Sequence, residues 1–166
     1  TEIYTLSLHD ALPIWLGHPY YHSRIEGGEG HLEVAKNIYY TRERLAHMVL
    51  SVKPFGCLPS TQSDGVQTAV VAHHDDIIFL PVETSGEGEI NAHSRVQMTL
   101  NDARERAKEE FRLSLEENGM TEEEFRLLAR SRPEGREPFT SLPLGAAGTA
   151  ARLVRRLARS TGGARQ

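Results

Sequence analysis

The chain holds one thiol, Cys57, in the stretch PFGCLP. Read alone, a single cysteine is a small buried hydrophobe, but its surroundings point elsewhere. Pro54 and Pro59 stiffen the stretch, Gly56 loosens it, and the apolar run MVLSV just before it reads as a strand. The sulfur is therefore expected at the rim where a strand ends, not in a core. Two chemistries suit that place. A nucleophilic cysteine needs an imidazole nearby, and His93 on the following long helix is the candidate. A metal or cluster ligand needs further donors. Iron–sulfur clusters are held by several thiolates, so those donors would have to come from sequence outside this chain.

Three other stretches carry chemistry-bearing residues. SGEGEIN (85–91) places glycines before a helix start, the arrangement that binds phosphate through backbone N–H groups. Glu83, Glu87 and Glu89 would repel an anion there unless Arg95 compensates; the plainer reading is that Glu87 and Glu89 favour the helix start electrostatically. EGGEGH (26–31) reads as a helix lead-in able to contact a ligand. HHDD (73–76) resembles a metal box, yet it falls at a helix end before a strand, on the rim opposite Cys57, where histidines interact favourably with terminal carbonyls.

The elements that must position these residues follow from periodicity. A helix is expected over 31–47, with Leu32, Ala35, Ile38 and Leu45 near one face. MVLSV (48–52) reads as a buried strand ended by Pro54, followed by a loop with two prolines and two glycines. Asp64 and Gln67 read as a capping pair for a helix from about 65 to 74. IIFLPV (77–82) is a second strand, and a long helix is expected from about Glu89 to Asn118. Its inner stripe is Val96, Leu100, Ala103, Ala107, Phe111 and Leu115, with Arg106, Glu109, Glu110 and Arg112 on the wet face. Gly119 marks a left-handed stop. Thr121 and Glu124 form a capping box with Met120 and Phe125 as its staple. A Pro/Gly-rich connector (131–146) and a final helix (147–159) complete the chain.

Two apolar strands joined by a helix form a parallel pair, so the fold class is α/β: a small parallel sheet with flanking helices, followed by short C-terminal helices. Ligands of such sheets sit beyond the carboxyl ends of the strands, where the Cys57 loop and ETSGEGEIN should lie side by side.

Composition narrows the classes. Of 166 residues, positions 1–125 carry 10 Lys+Arg against 21 Asp+Glu, while 126–166 carry 9 Arg against 2 Glu. The basic tail lacks any aromatic after Phe139, which removes the stacking half of a single-strand nucleic-acid surface. One cysteine excludes an internal disulfide, and no apolar run approaches the ~20 residues of a membrane span. A reducing, cytoplasmic setting is expected, with neither nucleic acid nor membrane as partner. Residues 1–14, TEIYTLSLHDALPI, back-translate to a common sequencing-library adapter, and Trp15 borders it. Residues 1–15 are accordingly read as a scar on an interrupted longer frame. The division expected is 1–15 scar, 16–119 α/β domain fragment carrying the Cys57 loop, and 120–166 helical, Arg-rich C-terminal extension.

YYHSRIEGGEGHLEVAKN, KPFGCLPSTQSDGVQ and FLPVETSGEGEINAHSRVQM, in that order, resemble the C-terminal region of the large activators of 2-hydroxyacyl-CoA dehydratases, the benzoyl-CoA reductase and 2-hydroxyglutaryl-CoA dehydratase activator group. The resemblance covers about residues 18–130, and GTAARLV (148–154) looks like that family's closing segment. It implies a fragment of a Rossmann-like dehydratase-subunit domain within an ATP-hydrolysing redox activase. It further implies that Cys57 is one ligand of a [4Fe-4S] cluster completed by missing sequence. Gly56, Glu83, Ser85, Gly86, Glu87 and Arg95 become cofactor-side or interface candidates. ATP and Mg would bind only in absent upstream domains, so the fragment alone is expected to be inactive. Its partners would be those domains and an acyl-CoA dehydratase or reductase subunit. Two readings from other classes stand beside this one: a structural or docking module, and Cys57–His93 nucleophilic chemistry.

Overall fold

The computed structural model of the chain describes residues 14–25, 28–84, 89–137 and 140–162. After a helical turn at 14–17 come α1 (Gly30–Arg42), β1 (Val49–Pro54), α2 (Leu58–His73), β2 (Phe79–Thr84), α3 (Glu89–Glu117) and α4 (Glu122–Ser131). A one-turn 3-10 helix (Pro133–Gly135) and α5 (Thr149–Gly162) follow. β1 and β2 run parallel, in register from Val49 opposite Phe79 to Pro54 opposite Thr84, with α2 as the crossover that parallel pairing requires. The mixed architecture expected from the sequence, a small parallel sheet flanked by helices, is present.

The chain divides into two compact units, one within Thr1–Glu43 and Met48–Asn101, the other within Arg44–His47 and Asp102–Gln166. In the first, Val34 and Ile38 of α1 meet Val70 of α2, with Tyr21 and Ile77, in one apolar cluster that Phe79 of β2 joins. The i, i+4 spacing of Val34 and Ile38 puts both on one helix face. Between the same two helices, fully buried Asn37 donates from Nδ2 to Gln67 Oε1 at 2.8 Å.

Several expected boundaries move. α1 stops at Arg42 rather than reaching 47, and Arg44 beyond it adopts φ 50°, so Leu45 lies outside the helix. β1 continues through Lys53 to Pro54, because a proline at the end of an edge strand costs no ladder bond. α2 starts at Leu58, not near 65, since Pro59 occupies the first turn, where its missing N–H is no loss. Asp64 and Gln67 are therefore helix-interior residues turned inward, not a capping pair.

The second unit is built around Leu115, Phe125, Val154 and Leu157, with Phe111 edge-on to Phe125 at 5.3 Å between ring centroids. Gly119, at φ 59°, ends α3. Its N–H bonds to Glu116 O at 3.0 Å, and the Met120 N–H bonds to Leu115 O at 3.0 Å. These are the paired closing bonds that a left-handed residue permits. The capping box forms as expected: Thr121 Oγ1 accepts from the Glu124 N–H at 3.2 Å, and the Thr121 N–H donates back to Glu124 Oε2 at 2.8 Å.

Glu109 and Arg112 pair at 2.6 Å on the wet face of α3, but Glu110, expected beside them, turns inward. Its carboxylate accepts from the backbone N–H groups of Ala147 (2.9 Å) and Gly148 (2.7 Å), just before α5, and from His47 Nε2 (2.8 Å). Burial pushes the Glu110 carboxyl upward, yet the two N–H groups and the His47 ring outweigh it and hold the carboxyl below its ordinary value. No helix among the described residues is long and apolar enough to cross a membrane.

Candidate functional site

β1 alternates in the reverse of the usual sense. Leu50 and Val52 face outward, 44% and 61% exposed, while Ser51 and Lys53 face in. Lys53 is only 3% exposed. Its ammonium pairs with Asp64 of α2, lies 3.8 Å from Glu33 Oε1 of α1, and donates to Ser60 O at 3.3 Å. Glu33 completes the cluster: Ser51 Oγ donates to its Oε1, and Ser63 Oγ donates to its Oε2 at 2.6 Å. An ammonium out of water is tolerable only when paired and hydrogen-bonded. Strand β1 and helices α1 and α2 each supply part of that requirement.

At the carboxyl end of β1 the chain turns through Gly56, whose φ of 77° favours glycine. A Cβ there would meet nothing within 4 Å, so backbone conformation rather than space sets the residue type. Cys57 follows as the N-terminal flanking residue of α2, with φ −69° and ψ 105°. Its carbonyl accepts from the Thr61 N–H at 2.9 Å. The sulfur is partly exposed, and the thiol donates to Ser60 Oγ at 3.4 Å. The Ser60 hydroxyl, then the Ser60 backbone N–H, hold the thiol below its ordinary range; Lys53 adds to that, while desolvation and Glu33 act the other way. An open cleft of about 380 Å³ borders the sulfur, lined among others by Glu29, Glu33, Lys36, Ser51 and Ser60. Glu29 and Gly30 of the EGGEGH lead-in line the same cleft as the cysteine.

The other expected residues fall beside this site or beyond the described ones. Glu83 stands opposite Lys53 in the strand register. With Arg95, Asp64 and Phe55 it lines a second open cleft of about 360 Å³, and Arg95 donates to Pro81 O at 3.1 Å. Cys57 thus lines one cleft and Glu83 and Arg95 another, Gly56 forms the turn before the cysteine, and Ser85, Gly86 and Glu87 lie outside the described residues. The sulfur's hydrogen-bond partner is Ser60, and His93 is exposed on α3. In HHDD, His74 Nε2 lies 3.3 Å from the Tyr20 hydroxyl, and the His73 ring lies 5.7 Å from that of Tyr20. Among the described residues no group of three or more His, Cys, Asp or Glu is placed to hold a metal ion.

The ionic cluster behind the thiol is what sequence reasoning passed over. Its one signal in the sequence is a lysine following directly on an apolar strand. For an iron–sulfur cluster these residues fit a single ligand position: a partly exposed sulfur, its thiol held below the ordinary range, at the rim of the sheet. They do not form a ligand set, since Cys57 is the chain's one cysteine.

No protein-family model, no curated protein and no solved structure matches this chain.

Proposed function

We propose that this chain is the C-terminal α/β portion of an iron–sulfur, electron-transferring activator of acyl-CoA dehydratase or reductase systems. In this reading Cys57 gives one thiolate to a [4Fe-4S] cluster whose other ligands lie outside the chain. The observation that carries it is the place of Cys57: half-exposed, at the carboxyl end of a parallel strand, beside a cleft, with its thiolate favoured by Ser60 and Lys53. Such rims are where α/β sheets hold their ligands. The order of the three sequence motifs supports the same reading, in which they form a fragment of a Rossmann-like dehydratase-subunit domain. The cluster, when bound, would supply a low-potential electron, while this chain's share is to fix one sulfur and shield it with the α2 N-terminus. ATP hydrolysis belongs to other domains, and the setting is a reducing cytoplasm.

The test is anaerobic purification of the longer protein that carries this sequence, with iron content and EPR measured for the wild type and Cys57→Ala. Loss of iron and of the signal in the variant is the expected result. Unchanged iron and an unchanged spectrum would remove Cys57 from the mechanism.

A second reading, a docking module without chemistry of its own, is favoured by the outward apolar residues Leu50, Val52, Phe55 and Leu58. It requires that Cys57→Ser keep full redox activity while Val52→Glu weakens association with the neighbouring domain or subunit.

A further inference from the structure

We propose that the outward face of α4 is a self-association surface: a second copy of this chain docks on it antiparallel about a two-fold axis, each Leu127 entering a hole on the other copy. None of the residues involved belongs to the Cys57 site.

The orientation of α4 is fixed by its own unit. The capping box sets its start, and Phe125 and Leu128 carry its inner face into the second apolar cluster. Helical periodicity then puts Glu123, Leu127 and Arg130 on the opposite face, with Arg126 beside them. Leu127 is 63% exposed there. With Glu122, Glu123, Arg126 and Arg130 it lines an open cleft of about 470 Å³. Positions 123, 126, 127 and 130 follow the i, i+3, i+4, i+7 spacing of the hole that receives a side chain in knobs-into-holes packing.

Charge selects the occupant. The first turn of α4 is acidic and its last turn basic, a polarity that the helix dipole favours. A second α4 laid parallel would set Glu123 on Glu123 and Arg130 on Arg130. Laid antiparallel, it sets each Glu123 against the other copy's Arg130, because the two lie about 5 Å to either side of Leu127 along the axis. Arg126 already pairs with Glu122 within its own helix, at 2.6 Å, which leaves Glu123 and Arg130 for the cross pair.

The plainer alternative is a solvated face, on which one exposed leucine is ordinary. A solvated face has no need of self-complementarity. An isologous contact does, because the same patch serves both partners, and α4 supplies it: a leucine in a hole, with opposite charges evenly spaced to its two sides. A ten-residue helix spans about 15 Å, so the contact is at the small end of interfaces and the dimer is weak. Exposed cross pairs add little affinity each but fix the orientation.

The test is sedimentation velocity of the whole chain over a concentration series at low salt. The wild type is expected to pass from monomer to dimer as concentration rises. Leu127→Asp should need about tenfold more protein, the effect of losing a central anchor. Glu123→Arg and Arg130→Glu should each stay monomeric alone, since each sets like charges across the axis. Their equimolar mixture should dimerise as the wild type does, because both cross pairs are then of opposite sign. Circular dichroism checks that the substitutions leave the fold intact, and should either charge variant fail to fold, Leu127→Asp decides. A wild type that stays monomeric throughout, or a mixture no more dimeric than its components, overturns the proposal. So does a dimer that survives Leu127→Asp; its loss in Val52→Glu would then place the contact on the outward face of β1.

Discussion

Glu110 and Lys53 are both charged residues that the chain turns inward, and each is satisfied by groups far away in sequence. Glu110 acts as a remote cap for the start of α5, meeting two N–H groups that have no partner inside that helix. Its carboxyl titrates below the ordinary 4.5, so its contribution is fully present above that value and is lost as pH falls through the lower, folded one. Glu110→Ala is expected to cost about 1–2 kcal/mol at neutral pH, the range of a lost helix cap. The gap between wild type and variant should narrow between neutral pH and an acid pH below the ordinary carboxyl value, as the folded carboxylate takes up its proton. Urea denaturation of both proteins at the two pH values checks this; an equal gap at each would show that the ionised carboxylate is not the source. At this scale the rim position of Cys57 was legible, because a strand followed by proline and glycine is a local pattern. The inward turn of Lys53 and Glu110 was not, because no local pattern reveals a partner on another helix.

Elements whose ends are set by neighbouring residues were read closely from the sequence, and those set by tertiary contacts were displaced. The stop of α3 at Gly119 and the restart of α4 at Thr121 depend on residues within a few positions of each other, and both occur as expected. Gly119→Ala forces a side chain into the left-handed region and is expected to cost about 1 kcal/mol. Thr121→Ala removes one half of the capping box at a similar cost of about 1 kcal/mol. Thermal melts of the two single variants and of the double check both, and near-additivity is the expected outcome if stop and cap act separately. By contrast α2 begins well before its expected start. The Asp64/Gln67 spacing matches a capping pair, but Pro59 starts the helix at Leu58 and Asp64 pairs with the buried Lys53. Once the ammonium occupies the interior, Asp64 must sit one turn or more inside the helix to reach it.

Among the described residues, two apolar clusters carry the packing: one around Val34, Ile38 and Val70, the other around Leu115, Phe125 and Leu157. Leu157→Ala, at a fully buried position, is expected to cost roughly 2–5 kcal/mol. Hydrogen exchange followed by mass spectrometry should then show faster exchange in α4 and α5, with α1 and α2 still protected. Uniform acceleration through both units would mean that the clusters unfold as one. The reversed facing of β1 has its own effect at this scale. Strands at the margin of a sheet commonly carry an outward lysine that discourages further strands from adding; here the lysine is spent inside, and Leu50 and Val52 take the outer positions. The chain therefore carries an apolar strip on the outward face of β1, and its solubility on its own depends on concentration and on whatever covers that strip.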